Sequence, residues 1–246
     1  MMRDTAPASV RLLANGAMVL WMWGVITSAL CGSLVLTLIL LPVSPADLES
    51  PQTFRARVDL RPLLETFLAL PIGILLHELT HLFAFRALGY QAFFDEFLLL
   101  LRIPLSVYVP GPIRREHYIL GLCAPAAVAF PIFAAGWIAL LLARALPSPL
   151  RLLVLAAAIS AASACDDIGR SFALLRRPHW TLLEDAPSHP SCRPVGSPTW
   201  WTADPTARPT HPLRRIGIGL LFHSTAFALS VLLTLLITGI AYWILH

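Results

Sequence analysis

Chemistry in this sequence concentrates in six consecutive residues, His77-Glu78-Leu79-Thr80-His81-Leu82. Two imidazoles four residues apart share one face of a helix and can bind a single divalent ion. Zinc held by two histidines keeps room for a further protein ligand and for a water, whose pKa it lowers to about 7. Glu78, next to the first histidine, is placed to take that water's proton and pass it to a leaving amine. The alternative is that the imidazoles merely bond to a neighbouring helix. It leaves three ionisable groups at depth in an apolar helix without compensation, at about 2.5–3.5 kcal/mol each. A bound cation supplies the compensation.

A third protein ligand must come from elsewhere at the same depth. The run Ser163-Ala164-Cys165-Asp166-Asp167 places two adjacent carboxylates inside another apolar stretch. Neighbouring helical residues point about 100° apart, so only one of the two need face the ion. The stripe Ser160, Ala164, Asp167, Ser171 turns Asp167 inward, whereas Asp166 is spaced to pair with Arg170. His223, in the last apolar stretch, falls near the same depth and could orient a ligand or simply hydrogen-bond within a helix bundle. Glu65 and His117 fall closer to the surface, outside the site. Cys31, Cys123, Cys165 and Cys192 show no paired spacing, so neither a disulfide framework nor a cysteine zinc site is indicated.

The elements that hold these residues must be membrane helices. Of 246 residues, 57% are hydrophobic and 13% charged, against about 25% charged in a soluble domain. Such a chain cannot cover itself with polar surface, so lipid is its solvent. Five apolar blocks are long enough to cross a bilayer, at about 17–41, 62–88, 118–143, 152–175 and 216–244. The expected fold is an all-α membrane protein, one integral membrane domain of about five transmembrane helices. The first block exceeds the apolar core of a secretory signal, about 7–15 residues, and is expected to remain as a helix.

Residues 89–117 are too apolar for a free loop but are broken by Asp95, Glu96 and Arg102. They are expected to form a membrane-associated loop or short hairpin, because Ser106-Val107-Tyr108-Val109 has strand character and Pro110-Gly111-Pro112 is a turn signal. Residues 178–213 hold eight of the 21 prolines, which argues for a mobile cytoplasmic loop without a packed core.

The positive charge comes entirely from arginine, for the sequence has no lysine. With the N-terminus in the cytoplasm, twelve of the 18 arginines fall on cytoplasmic segments and helix ends and five on the opposite side. That asymmetry obeys the positive-inside rule and predicts an N-in, C-out topology. It also accounts for the net charge of +4 without a nucleic-acid partner.

His77 to Leu82, followed by Phe83, Arg86, Leu88 and Gly89, resembles the putative zincin peptidase family of bacterial polytopic membrane proteins. That family is similar in turn to the site-2 proteases, which cut peptide bonds within membranes. Further matches are Arg114-Arg115-Glu116-His117-Tyr118-Ile119-Leu120 running into Cys123-Ala124-Pro125, and Ser163-Ala164-Cys165-Asp166. The resemblance covers roughly 65–180. It implies Zn²⁺ bound by His77 and His81, Glu78 as base, and Asp166 as third ligand, where the family motif reads Ser, any residue, Gly, Asp. Cys165 stands where that glycine is usual, so Asp166 and Asp167 both stay open.

The implied activity is a zinc metalloendopeptidase of the HExxH type in the bacterial inner membrane. Its partners would be surrounding lipid and a membrane-embedded or membrane-adjacent protein or peptide substrate. A catalytically silent relative that binds a membrane partner is the rival reading. Glu78 speaks against it, because a purely structural site has no need of an unliganded carboxylate beside the ion. A small transporter would spread polar residues along a path, and here they cluster at one depth.

Overall fold

The computed structural model describes residues 8–94, 97–98, 103–104, 106–175, 179–186, 189–194 and 212–246. Its helices are α1 (Ala8–Leu40), α2 (Pro51–Arg57), α3 (Arg61–Ala87), α4 (Arg115–Ala143), α5 (Ser148–Ser163), α6 (Cys165–Leu175) and α7 (Pro212–Leu245). Among the described residues, four segments are long and apolar enough to cross a membrane: Met22–Leu40, Pro51–Ala87, Arg115–Ala143 and Ser224–Leu245. A fifth is the bent pair formed by α5 and α6, if the two count as one span. The protein is thus all-helical apart from a few short strands.

The expected single helix at 152–175 is two, meeting at Ala164 with a bend of 42°. The break has a local cause. Ser163 Oγ donates to the carbonyls of Ile159 and Ser160 at 2.7 and 3.3 Å, and such back-bonding competes with the backbone ladder and bends helices. A new ladder starts where the Ile168 amide reaches the Ala164 carbonyl at 3.0 Å.

The chain divides into two compact units, each with its own apolar cluster. One comprises Gly24–His77, Ala126–Ser163 and Ser224–His246. Its centre is α5, whose residues Val154 to Ala158, Ser160 and Ala161 are at most 2% exposed. A helix apolar on every side belongs in an interior. Within this unit α3 and α5 run parallel, joined by Arg151 with Glu65 and by Gly73 against Ala156 and Ile159. Likewise α1 and α7 run parallel, since Ser230 Oγ and Thr234 Oγ1 donate to the carbonyls of Val25 and Ala29 at 3.4 and 3.3 Å.

The other unit comprises Met1–Trp23, Glu78–Pro125 and Ala164–His223, with Leu82, Phe85, Ile113, Tyr118, Leu122 and Leu174 in its core. Here α3 stops at Gly89, which has a φ of 87°. The Gly89 amide bonds the Arg86 carbonyl and the Tyr90 amide bonds the Phe85 carbonyl, the pair of bonds that closes a helix around a left-handed glycine. Tyr90 and Phe85 then join the same apolar cluster.

Beyond this stop lie β1 (Phe93–Phe94), β2 (Phe97–Leu98), β3 (Ile103–Pro104) and β4 (Val107–Tyr108). β1 pairs antiparallel with β4 and β2 with β3, so 89–117 contains the expected hairpin; Asp95, Glu96 and Arg102 lie outside the described residues. β5 (Pro112–Arg114), β6 (Leu182–Ala186) and β7 (His189–Pro194) form a three-stranded antiparallel sheet.

That sheet departs from the expectation of a loop without a core over 178–213. Leu183 is fully buried opposite Ile113. The proline density averaged two different pieces: Leu182–Ala186 contains no proline, and Pro190 and Pro194 sit on β7 at the sheet edge, where a missing amide is tolerated. Residues 195–211 lie outside those described.

Candidate metal centre

His77, Glu78 and His81 are all buried, at 6%, 7% and 6% exposure. Because α3 is one continuous helix over all three, its pitch alone sets the two imidazoles one turn apart on a common face. The backbone of neighbouring helices orients each ring. His77 Nδ1 lies 3.2 Å from the Ser160 carbonyl of α5, and His81 Nδ1 lies 2.8 Å from the Gly121 carbonyl of α4. Carbonyl oxygens only accept, so both Nδ1 atoms carry a proton and donate. In a neutral ring that leaves the lone pair on Nε2, the tautomer a metal-ligating histidine needs.

Asp167, 9% exposed, comes from the first turn of α6, just past the break. Its Oδ2 lies 3.2 Å from His81 Nε2. A proton or a metal ion shared between the two atoms accounts for so short a distance. Two ligands of one tetrahedral ion, each at about 2.0–2.1 Å, stand about 3.3 Å apart. His77, His81 and Asp167 each offer one ligand atom, and these atoms all lie within 4.8 Å of one another. Two imidazoles, one carboxylate and an adjacent carboxylate outside the ligand set are the donors expected of a zinc site with one open position. The residues present fit such an ion.

Of the residues singled out in the sequence, the structure brings together His77, His81 and Asp167, with Glu78 buried beside His77. Asp166 belongs to α6, but its side chain is outside those described, as is that of His223 on α7. Glu65 is engaged by Arg151 at 2.6 and 2.8 Å, and His117 Nδ1 by Tyr90 Oη at 2.9 Å. Two contributors had escaped sequence reasoning, the carbonyls of Gly121 and Ser160. For Gly121 a signal existed: a glycine within an apolar helix marks close approach, and a Cβ there would run into the Phe85 ring.

A buried group of two helical histidines and a carboxylate among apolar membrane-length helices is the donor arrangement of metallopeptidase-like membrane proteins. Residues 70–182, somewhat under half of the chain, match the model of a family described as putative zincin peptidase. The match spans all four residues of the centre and the stretch on which the sequence resemblance rests. No curated protein and no solved structure matches the chain.

Proposed function

We propose that this protein is an intramembrane zinc endopeptidase of the HExxH type, similar in its chemistry to the site-2 proteases. The observation that carries the reading is the meeting of His81 Nε2 and Asp167 Oδ2 at 3.2 Å, one helical turn from His77 and beside a buried carboxylate that is not part of the ligand group. When bound, Zn²⁺ supplies a Lewis acid that polarises the scissile carbonyl and makes water acidic enough to be deprotonated near neutral pH.

The chain's own residues do the rest. Glu78 accepts a proton as water oxygen bonds to the carbonyl carbon, then delivers it to the nitrogen as the C–N bond breaks. The Gly121 and Ser160 carbonyls hold the imidazoles in the productive tautomer. Burial of all three α3 side chains keeps bulk water from competing.

A substrate helix hides its backbone, so the segment to be cut must unwind locally. The hairpin β1–β4 is a candidate edge for receiving it. The arginine distribution favours an N-in, C-out orientation in a bacterial inner membrane, and the charge asymmetry gives no reason to invoke nucleic acid.

The test uses purified full-length protein with its zinc content measured. Glu78→Gln should retain the metal and lose cleavage of a transmembrane reporter by about 100-fold or more. Equal cleavage by wild type and Glu78→Gln at equal zinc content would refute the base role.

A further inference from the structure

Rigid placement of His77 poses a problem that α5 does not solve by shape alone. Half of the positions from 154 to 161 are alanine, and small residues allow close approach but offer few knobs to fix axial register. One notch exists. A Cβ on Gly73 would lie 2.7 Å from the Ala156 carbonyl and 2.8 Å from Ile159, so α3 touches α5 there. α1 and α4 also touch α5, through Cys31 on the Ala158 carbonyl and Gly136 against Val154, but along α3 itself one notch does not fix the angle between the two helices.

The second point is an ion pair. Arg151 Nη2 and Nε donate to the two carboxylate oxygens of Glu65 at 2.6 and 2.8 Å, a fork geometry that tolerates little slip. The paired side chains are only 18% and 16% exposed, and Ser148 Oγ accepts a third bond from Arg151 at 3.0 Å. Register is the best-attested use of such partly buried pairs. Three contacts then follow in order along both helices: Glu65 with Arg151, Gly73 with Ala156 and Ile159, and His77 with the Ser160 carbonyl.

We propose that the Glu65–Arg151 pair is a positioning device for the metal centre: it locks α5 in register against α3 and thereby holds the Ser160 carbonyl on His77. The lengths make the lever effective. Glu65 precedes the Gly73 notch by eight residues, about 12 Å, and His77 follows it by four, about 6 Å. A slip of about 1 Å at the pair, pivoting on the notch, moves His77 against Ser160 by about 0.5 Å, the tolerance of a preorganised site. The proposal rests on the metal reading above.

The test is Co²⁺ binding to the purified full chain in nanodiscs, followed by its visible bands, which report coordination geometry, and by chelator competition. Glu65→Gln and Arg151→Gln should each weaken Co²⁺ by about ten-fold, the scale of losing a ligand-orienting partner. Both should also dim the tetrahedral bands. Arg151→Lys keeps the charge without the fork and should fall in between. Exchanging the pair, Glu65→Arg with Arg151→Glu, should recover most of the affinity.

Wild-type affinity in glutamine variants that keep their helicity and elution volume overturns the proposal. Should those variants not fold, wild-type affinity in Arg151→Lys does the same. A wild-type chain that binds neither Co²⁺ nor Zn²⁺ refutes the metal centre itself, and the positioning role with it.

Discussion

His81 shows most clearly how the arrangement works at the residue scale. One nitrogen donates to the Gly121 carbonyl, so in the neutral ring the other presents its lone pair toward Asp167, where one metal ion would be held by both. Asp167→Asn should therefore lower zinc affinity by about 100-fold or more, at least the cost of losing a ligand's outer partner. Asp166→Asn should change it little. Zinc titration of the two variants checks this, and the reverse ranking would make Asp166 the ligand.

The histidine pair and Glu78 were legible because their types and spacing are written in the sequence. The aspartate was not: the helical stripe pointed to Asp167 and the family resemblance to Asp166. Asp167 reaches the imidazoles from the first turn past the break at Ala164, a feature neither the stripe nor the motif contains. The orienting carbonyls are less legible still, because every residue has one and only the fold chooses among them.

Single elements carry consequences of their own. The stop of α3 depends on Gly89 adopting a φ of 87°, where a side chain costs about 1–2 kcal/mol. Gly89→Val should lower thermal stability by that amount while leaving zinc stoichiometry intact. Gly73→Val places carbon against the Ala156 carbonyl and should cost about 1–3 kcal/mol through overpacking, with zinc affinity reduced as well because His77 is one turn away. Chemical denaturation alongside zinc titration separates the two cases.

Between α1 and α2, the Ser44 hydroxyl and amide both donate to Asp47, at 2.7 and 2.9 Å, and hold its carboxyl below the usual carboxylate range. A depressed folded pKa stabilises this turn above the unfolded value, about 3.9, and the contribution is lost as pH falls through the folded value. Amide exchange over 45–57, corrected for intrinsic rate, should be flat from pH 7 to 5 and rise only in acid.

The long helices were legible element by element, since about 20 apolar residues admit few alternatives. The break in 152–175 was hidden by continuous hydrophobicity. The pairing of β6 with β5 was hidden because Leu182–Ala186 finds its partner some seventy residues earlier in the chain, and local composition says nothing of such distant partners.

For the molecule as a whole, the arginine asymmetry predicts an N-in, C-out topology, and the parallel run of α1 and α7 agrees with an odd number of crossings. Topology reporters fused to the two ends should place the N-terminus in the cytoplasm and the C-terminus outside. Both ends on the same side would contradict five crossings. Composition alone pointed to helices of membrane length, and the structure has them; the bent pair reads equally well as one span or two. The central claim is that one ion sits among His77, His81 and Asp167. X-ray absorption at the zinc edge of the purified protein tests it most directly. The expected result is one zinc per chain with two imidazole nitrogens and carboxylate oxygen at about 2.0–2.2 Å, the imidazole signal halving in His81→Ala. A protein without stoichiometric metal, or a spectrum with sulfur ligands, would contradict it.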